Sequence, residues 1–348
     1  MSTMQAVVYY EKGDIRIQSV PIPECDSGEF RIKVDACAIC GTDLKAFVSG
    51  NPRLQAPIVM GHEFTGLIDK IADNVEGFEI GDRIVMATSV SCGQCFYCKK
   101  GWTNLCLDLA PMGFSYPGGM AEYVTIPKRA IRNGHVIKVP EGIAPEHAAL
   151  AEPLSCAVNC AENCNIQSGD TVVVVGAGPM GIMNACIARE YGAAKIILAE
   201  VNPLRLRQAE PFSFDQLVNS STENLYDIVM KATNNIGADV VIVAAPAGPP
   251  QEQALKLVRK RGSVCLFASL PMGKNILSMD SRLIHYNEIN VVGSSDSSPA
   301  HVKKAVEVIG SNKIPMNELA NEILTLADIF TGYDLMQSGQ VLRVILKP

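Results

Sequence analysis

The chain has 348 residues, 48% hydrophobic and 19% charged, long enough for two domains that each bury a core and unlike a disordered or low-complexity scaffold. Its net charge of -6, with lysines and arginines scattered along it, offers no electrostatic footprint for nucleic acid or an anionic membrane and points to a small-molecule partner. The opening MSTMQAVVYYEKGD lacks a cationic segment followed by a long apolar run, so a cytoplasmic protein is expected, with its twelve cysteines serving as metal ligands or free thiols.

In chain order, residues 4 to about 90 carry short alternating or β-branched runs, Phe30 to Val34, Gly66 to Ile71 and Arg83 to Met86, and predict a mostly β region. Two potential ligand groups fall inside it: Cys40-Gly41-Thr42-Asp43 and Gly61-His62-Glu63. Glu152-Pro153 lies far downstream. Cys40 and His62 offer soft and borderline donors and Glu152 a hard one, and three protein ligands leave a fourth position of a zinc ion open for water or substrate. Singly, Cys40 reads as a small core residue and His62 as a hydrogen-bonded structural histidine; the combination points to a catalytic metal.

Next come Cys92, Cys95, Cys98 and Cys106 in SCGQCFYCKKGWTNLC. Four thiolates this close can complete a tetrahedral shell around zinc, and a shell with no open position is structural. An iron-sulfur run of similar spacing ends in Cys-Pro, and no Pro follows Cys106. Phe96, Tyr97 and Trp102 are expected to wrap the metal or form an interface. Cys156, Cys160 and Cys164 recur at every fourth residue on one helix face and read as small apolar core residues, because a row along one helix cannot wrap a tetrahedral ion. His135, His147, His285 and His301 are expected to be structural or solvated, with His285 a candidate for the cleft.

From Thr171 the pattern changes to strands alternating with helices: Thr171 to Val175, a helix from Met180 to Tyr191, Lys195 to Ala199, then Val240 to Val243 and Val264 to Phe267. That is the rhythm of βαβ units around a parallel sheet. The first strand runs into Gly176-Ala-Gly178-Pro179-Met180-Gly181. Its glycines admit a pyrophosphate close to the backbone, and the following helix N-terminus supplies positive potential. Glu200 ends the next strand at roughly the spacing of the acid that bonds a ribose 2′-hydroxyl, which favours NAD over NADP. Arg205, a few residues on, would meet a 2′-phosphate or cover the adenine. About the last fifty residues hold helices from Pro299 to Ile309 and near Asp328 to Met336 and a strand from Val341 to Leu346. These break the alternation and are expected to return to the first domain.

These motifs, with GHEFTG followed by Ala72 after five intervening residues, Gly81-Asp82-Arg83 and Gly118-Gly119-Met120-Ala121-Glu122-Tyr123, resemble the zinc-containing medium-chain dehydrogenase/reductase superfamily over nearly the whole chain. The resemblance implies an α/β protein. A GroES-like β-rich catalytic domain would span 1–157, with a structural-zinc lobe at about 91–107 and completion by 296–348, and a Rossmann doubly wound parallel-sheet coenzyme domain would span 158–295. It further implies a cleft for NAD(H) and a catalytic zinc, two zinc ions per subunit, and a homotetramer or dimer built partly through the Rossmann sheets. Glu152 in AEPLS stands where ordinary alcohol dehydrogenases place a cysteine, so the chain looks most like the polyol branch of sorbitol, threonine and galactitol-phosphate dehydrogenases. In that branch Glu63 also lies beside the metal and exchanges with Glu152 or water as a ligand. Lys45 departs from the histidine that often ends the proton relay.

The activity expected from this resemblance is hydride transfer between NAD(H) and a secondary alcohol, namely a polyol, a sugar alcohol or its phosphate. Thr42 would pass the proton outward and Glu63 assist as a local base. An L-threonine-type amino-alcohol dehydrogenase and a non-catalytic zinc- and nucleotide-binding module are the alternatives. Ligands, hydroxyl and cofactor turn occurring together argue against the module.

Overall fold

The computed structural model describes residues 2–348, and the chain divides into two compact units, Met1–Ser155 with Asp296–Pro348, and Cys156–Ser295. In the first, the strand Phe30–Ala38 buries Phe30, Ile32, Val34 and Ala36 while Arg31, Lys33 and Asp35 lie on the less buried face, the period-two pattern of a strand with one face in a core. It centres a mixed seven-stranded sheet and pairs antiparallel with Glu63–Ile71, Tyr123–Ile126 and the closing strand Val344–Lys347. Phe30, Ile32, Met60, Ile84 and Met120 belong to the core packed on this sheet. A three-stranded sheet built around Thr3–Glu11 accompanies it.

The closing strand belongs to this unit, with Ile345 set against Ala38 and Leu346 against Cys37. The strand begins at Val344 rather than Val341, because the Leu342 and Arg343 amides donate to Asn321 Oδ1 at 3.1 and 3.3 Å. Close backbone packing fixes the approach to His62. A Cβ on Gly118 would lie 2.1 Å from the Gly61 carbonyl oxygen, so only glycine fits there.

The second unit is a six-stranded parallel sheet in the order Gln216–Asn219, Lys195–Glu200, Thr171–Val175, Ala238–Val243, Val258–Leu266, Asn290–Gly293. Strand order reverses at Thr171–Val175, the topological switch point of a doubly wound fold. That strand is enclosed by neighbours on both sides, which accounts for a continuous TVVVV run instead of alternation. The glycine turn then leads into the helix Pro179–Glu190, and a Cβ on Gly181 would stand 1.8 Å from the Gly176 carbonyl oxygen. Glycine is what lets helix and turn approach. Among the described residues no helix is long and apolar enough to cross a membrane.

Candidate active site and metal centres

Cys40 sulfur, a His62 ring nitrogen and a Glu63 carboxylate oxygen lie within 4.8 Å of one another. Cys40 is the N-cap of the helix Gly41–Ser49, while Glu63 opens the strand Glu63–Ile71 directly after His62. Donors held 2.0–2.3 Å from one zinc stand about 3–4 Å apart, so this set fits the ion with modest side-chain adjustment. Asp43 orders the set. Its carboxylate accepts from the Cys40 amide at 2.9 Å and faces His62 Nδ1 at 3.6 Å, the outer-shell arrangement that orients a ligating imidazole. Burial raises the Cys40 thiol, yet the charge and hydrogen bond of His62 bring it down to about 7. Burial likewise opposes the imidazolium, but the Cys40 thiolate and Asp43 push His62 up to about 10. The two side chains favour a thiolate-imidazolium pair, and a borderline divalent cation that displaces the imidazolium proton to solvent would take the thiolate and the neutral imidazole as ligands.

The carboxylates are distributed in two places. Glu63 joins Cys40 and His62, whereas Glu152, in the first turn of the helix Ala151–Asn163, has a carboxylate oxygen within 4.8 Å of one from Asp296. Glu152 still lies close enough for its charge to favour protonated His62. Glu63 Oε2 is ion-paired with Arg343 Nη2, and both side chains are almost fully buried. Asp296, in the left-handed region at φ 61°, accepts from Ser89 Oγ and from the Ser297 amide at 2.7 Å. Thr42 is half-buried and Lys45 exposed. Roles for Asp43, Arg343 and Asp296 escaped the sequence reading. A lone cation in the apolar run VLRVIL was the available signal for Arg343.

The four-cysteine lobe meets a stricter geometric test. A tetrahedron of sulfurs about 2.3 Å from zinc has edges of about 3.8 Å. The sulfur separations are 3.9 Å for Cys92–Cys98, 3.5 Å for Cys95–Cys98 and 3.9 Å for Cys95–Cys106. Backbone amides complement the sulfurs: those of Cys92 and Asp108 donate to Cys106 Sγ at 3.2 and 3.3 Å, and backbone hydrogen bonds hold the Cys95 thiol down to about 6. Arg129 Nε and Asn133 Nδ2 brace the base of the lobe through the Ser91 carbonyl, and buried His135 reaches Ser91 Oγ at 2.9 Å. Phe96 and Trp102 are exposed. His285 is exposed too, edge-on to Tyr286. His147 bonds Asn317, and His301 accepts from the Ser298 amide at a helix start.

In the second unit a cavity of about 640 Å³ lies by the C-terminal ends of the first two strands, lined among others by Val175, Val201, Ser220 and Asn224. Glu200 is buried nearby. Its Oε2 accepts from the Ala177 amide at 2.9 Å and its Oε1 from the Val201 and Asn202 amides at 2.8 and 3.0 Å. The Arg205 guanidinium lies beside Gly178 of the turn.

A GroES-like β unit bearing a Cys-His-carboxylate set and a four-cysteine set, followed in the chain by a Rossmann unit, defines the class of zinc-dependent nicotinamide oxidoreductases. Residues 26–141 match the family model for the alcohol dehydrogenase GroES-like domain and residues 179–311 that for zinc-binding dehydrogenases. A sorbitol dehydrogenase of Halalkalibacterium halodurans is 31% identical over 97% of this chain and 96% of its own. An erythritol/L-threitol dehydrogenase of Mycolicibacterium smegmatis is 32% identical over 97% and 95%. Among solved structures, a zinc-binding dehydrogenase of Sinorhizobium meliloti bound to NADP is 28% identical and superposes with a TM-score of 0.91 over 100% of both chains. The chain belongs to the zinc-dependent medium-chain alcohol dehydrogenase family.

Proposed function

We propose that the protein is an NAD(H)-dependent dehydrogenase of secondary alcohols that acts on polyols or sugar alcohols. A catalytic zinc would be held by Cys40, His62 and a carboxylate of Glu63 or Glu152, and a structural zinc by Cys92, Cys95, Cys98 and Cys106. The convergence of Cys40, His62 and Glu63 within 4.8 Å is the observation behind it. When bound, zinc supplies Lewis acidity that takes the pKa of bound water from about 15.7 to about 7, worth up to about 12 kcal/mol toward ionising a hydroxyl, and NAD supplies the hydride acceptor.

The chain's own residues position and discharge. Asp43 fixes the Cys40 backbone and faces the imidazole, which holds two donors in register. Thr42 Oγ1, in the first turn of the helix that Cys40 caps, takes the hydroxyl proton and passes it outward, and with Lys45 exposed the proton leaves to water. Glu152 and Asp296 place two carboxylates together, which suits the donor-rich neighbouring hydroxyls of a polyol and repels a phosphate. Similarity to sorbitol and erythritol/L-threitol dehydrogenases supports the same substrate class.

A panel of polyols, polyol phosphates, L-threonine and primary alcohols, scored by NADH formation, is expected to give the highest kcat/KM with unphosphorylated polyols. Activity confined to primary alcohols would sink this reading, and bound NAD and zinc with no oxidation of any substrate would favour the binding module. Gly176, Gly178, Pro179, Met180 and Gly181 would cradle the pyrophosphate, with Glu200 and Arg205 at the adenosine ribose. Buried Glu200 should repel a 2′-phosphate, so kcat/KM is expected to be higher for NAD than NADP, with Glu200→Gln narrowing the ratio at least about tenfold, or about 1.4 kcal/mol. An NADP preference in the unaltered enzyme contradicts this. We also infer a cytoplasmic homodimer or homotetramer, since the second unit's sheet ends on the largely exposed strand Asn290–Gly293, an edge that a second copy can extend.

A further inference from the structure

A row of cysteines on one helix cannot surround an ion, but here a strand supplies the missing direction. Cys160 lies in the last turn of the helix Ala151–Asn163, Cys164 follows that helix directly, and Cys265 comes from the strand Val258–Leu266. Their three sulfurs lie within 4.8 Å of one another, with Cys160 and Cys265 at 3.4 Å. All three residues are buried, at 0%, 2% and 0% exposure. Sulfurs held about 2.3 Å from one central ion in a plane stand about 4 Å apart, so the trio needs only sub-ångström to ångström shifts to close on one.

Charge decides which ion suits it. Beyond burial, each thiol is influenced chiefly by the other two, and no lysine, arginine or histidine figures among the groups that act on them. An uncompensated charge in such surroundings is strongly disfavoured. Three thiolates around monovalent copper would carry two negative charges, and around zinc one, with a fourth coordination position unfilled. Around a trivalent ion the complex is neutral.

We propose that Cys160, Cys164 and Cys265 form a three-thiol site for a trivalent thiophilic ion of the arsenite type. Arsenous acid, As(OH)3, would exchange its hydroxyls: three As–S bonds form, three As–O bonds break, and each thiol proton leaves with a hydroxyl as water. No electron is transferred. Because the sulfurs are enclosed, loading proceeds through local opening and is slow.

The test uses the zinc-loaded, full-length protein, incubated with sodium arsenite, gel-filtered, then analysed by native mass spectrometry and arsenic X-ray absorption. One arsenic per chain with loss of three protons, three As–S paths and unchanged zinc content is the expected result. Cys265→Ala and Cys164→Ala, each checked for folding by circular dichroism, should reduce retained arsenic to background. Cys186→Ala, which removes a buried cysteine outside the cluster, should retain it. The site is overturned if the unaltered protein retains no arsenic, if arsenic displaces zinc, or if either folded cluster variant still retains it. None of these results bears on the substrate or cofactor assignments.

Discussion

Cys40→Ser is expected to lower kcat/KM by at least about 10³-fold, about 4 kcal/mol of transition-state stabilisation, while the fold persists. Serine conserves the volume of the thiol, so no cavity opens behind the helix Gly41–Ser49, and its hydroxyl is a poor zinc ligand at neutral pH. Zinc content should fall from two to one per chain, with circular dichroism unchanged. Cys95→Ser should behave in the opposite way. Its sulfur is one vertex of the four-cysteine tetrahedron, and a structural zinc contributes folding free energy directly, about 10–16 kcal/mol in isolated zinc-finger peptides. The expected result is lower soluble yield and a lower Tm, with activity per zinc-loaded, folded molecule better preserved than in Cys40→Ser. If Cys40→Ser keeps both metals and near-normal turnover, the catalytic ligand set is wrong.

What could be read from the sequence was what short stretches of chain determine. TVVVV running into Gly176-Ala-Gly178-Pro-Met-Gly181 declares itself because a strand enclosed on both sides selects β-branched residues, and the close turn admits only glycine. The cysteine lobe was legible for the same reason: all four sulfurs come from one short segment, so spacing nearly fixes geometry. Glu63 and Glu152 were both visible as donors, but which one accompanies Cys40 and His62 depends on how remote segments pack. Arg343 was out of reach because its position beside Glu63 follows from strand pairing that sets Ile345 against Ala38, some three hundred residues apart. Cys265 was missed similarly. The periodicity that aligned Cys156, Cys160 and Cys164 is helical and says nothing about which strand faces the helix.

Arg343→Met is expected to destabilise the protein by about 3–5 kcal/mol, because it strands the Glu63 carboxylate in the core without its partner. The residues are 3% and 1% exposed, so solvent cannot replace the lost guanidinium. For a unit of this size each kcal/mol moves Tm by about 2–4 °C, which puts the expected fall at about 6–20 °C. Burial draws the Arg343 pKa below its ordinary value, while the neighbouring Cys40 and Asp43 charges hold the guanidinium protonated, so Arg343 also helps neutralise the negative ligand set. The double variant Glu63→Met/Arg343→Met separates the structural from the functional contribution. Two methionines of similar volume remove both buried charges together, and replacing a buried pair in this way is commonly neutral or stabilising, so Tm should return close to the starting value. Activity should not return with it, because the carboxylate beside Cys40 and His62 is gone. A Tm change under about 2 °C for Arg343→Met would show that the pair does not form, and full activity in the stable double variant would show that Glu63 is a strut for the sheet with no part in the chemistry.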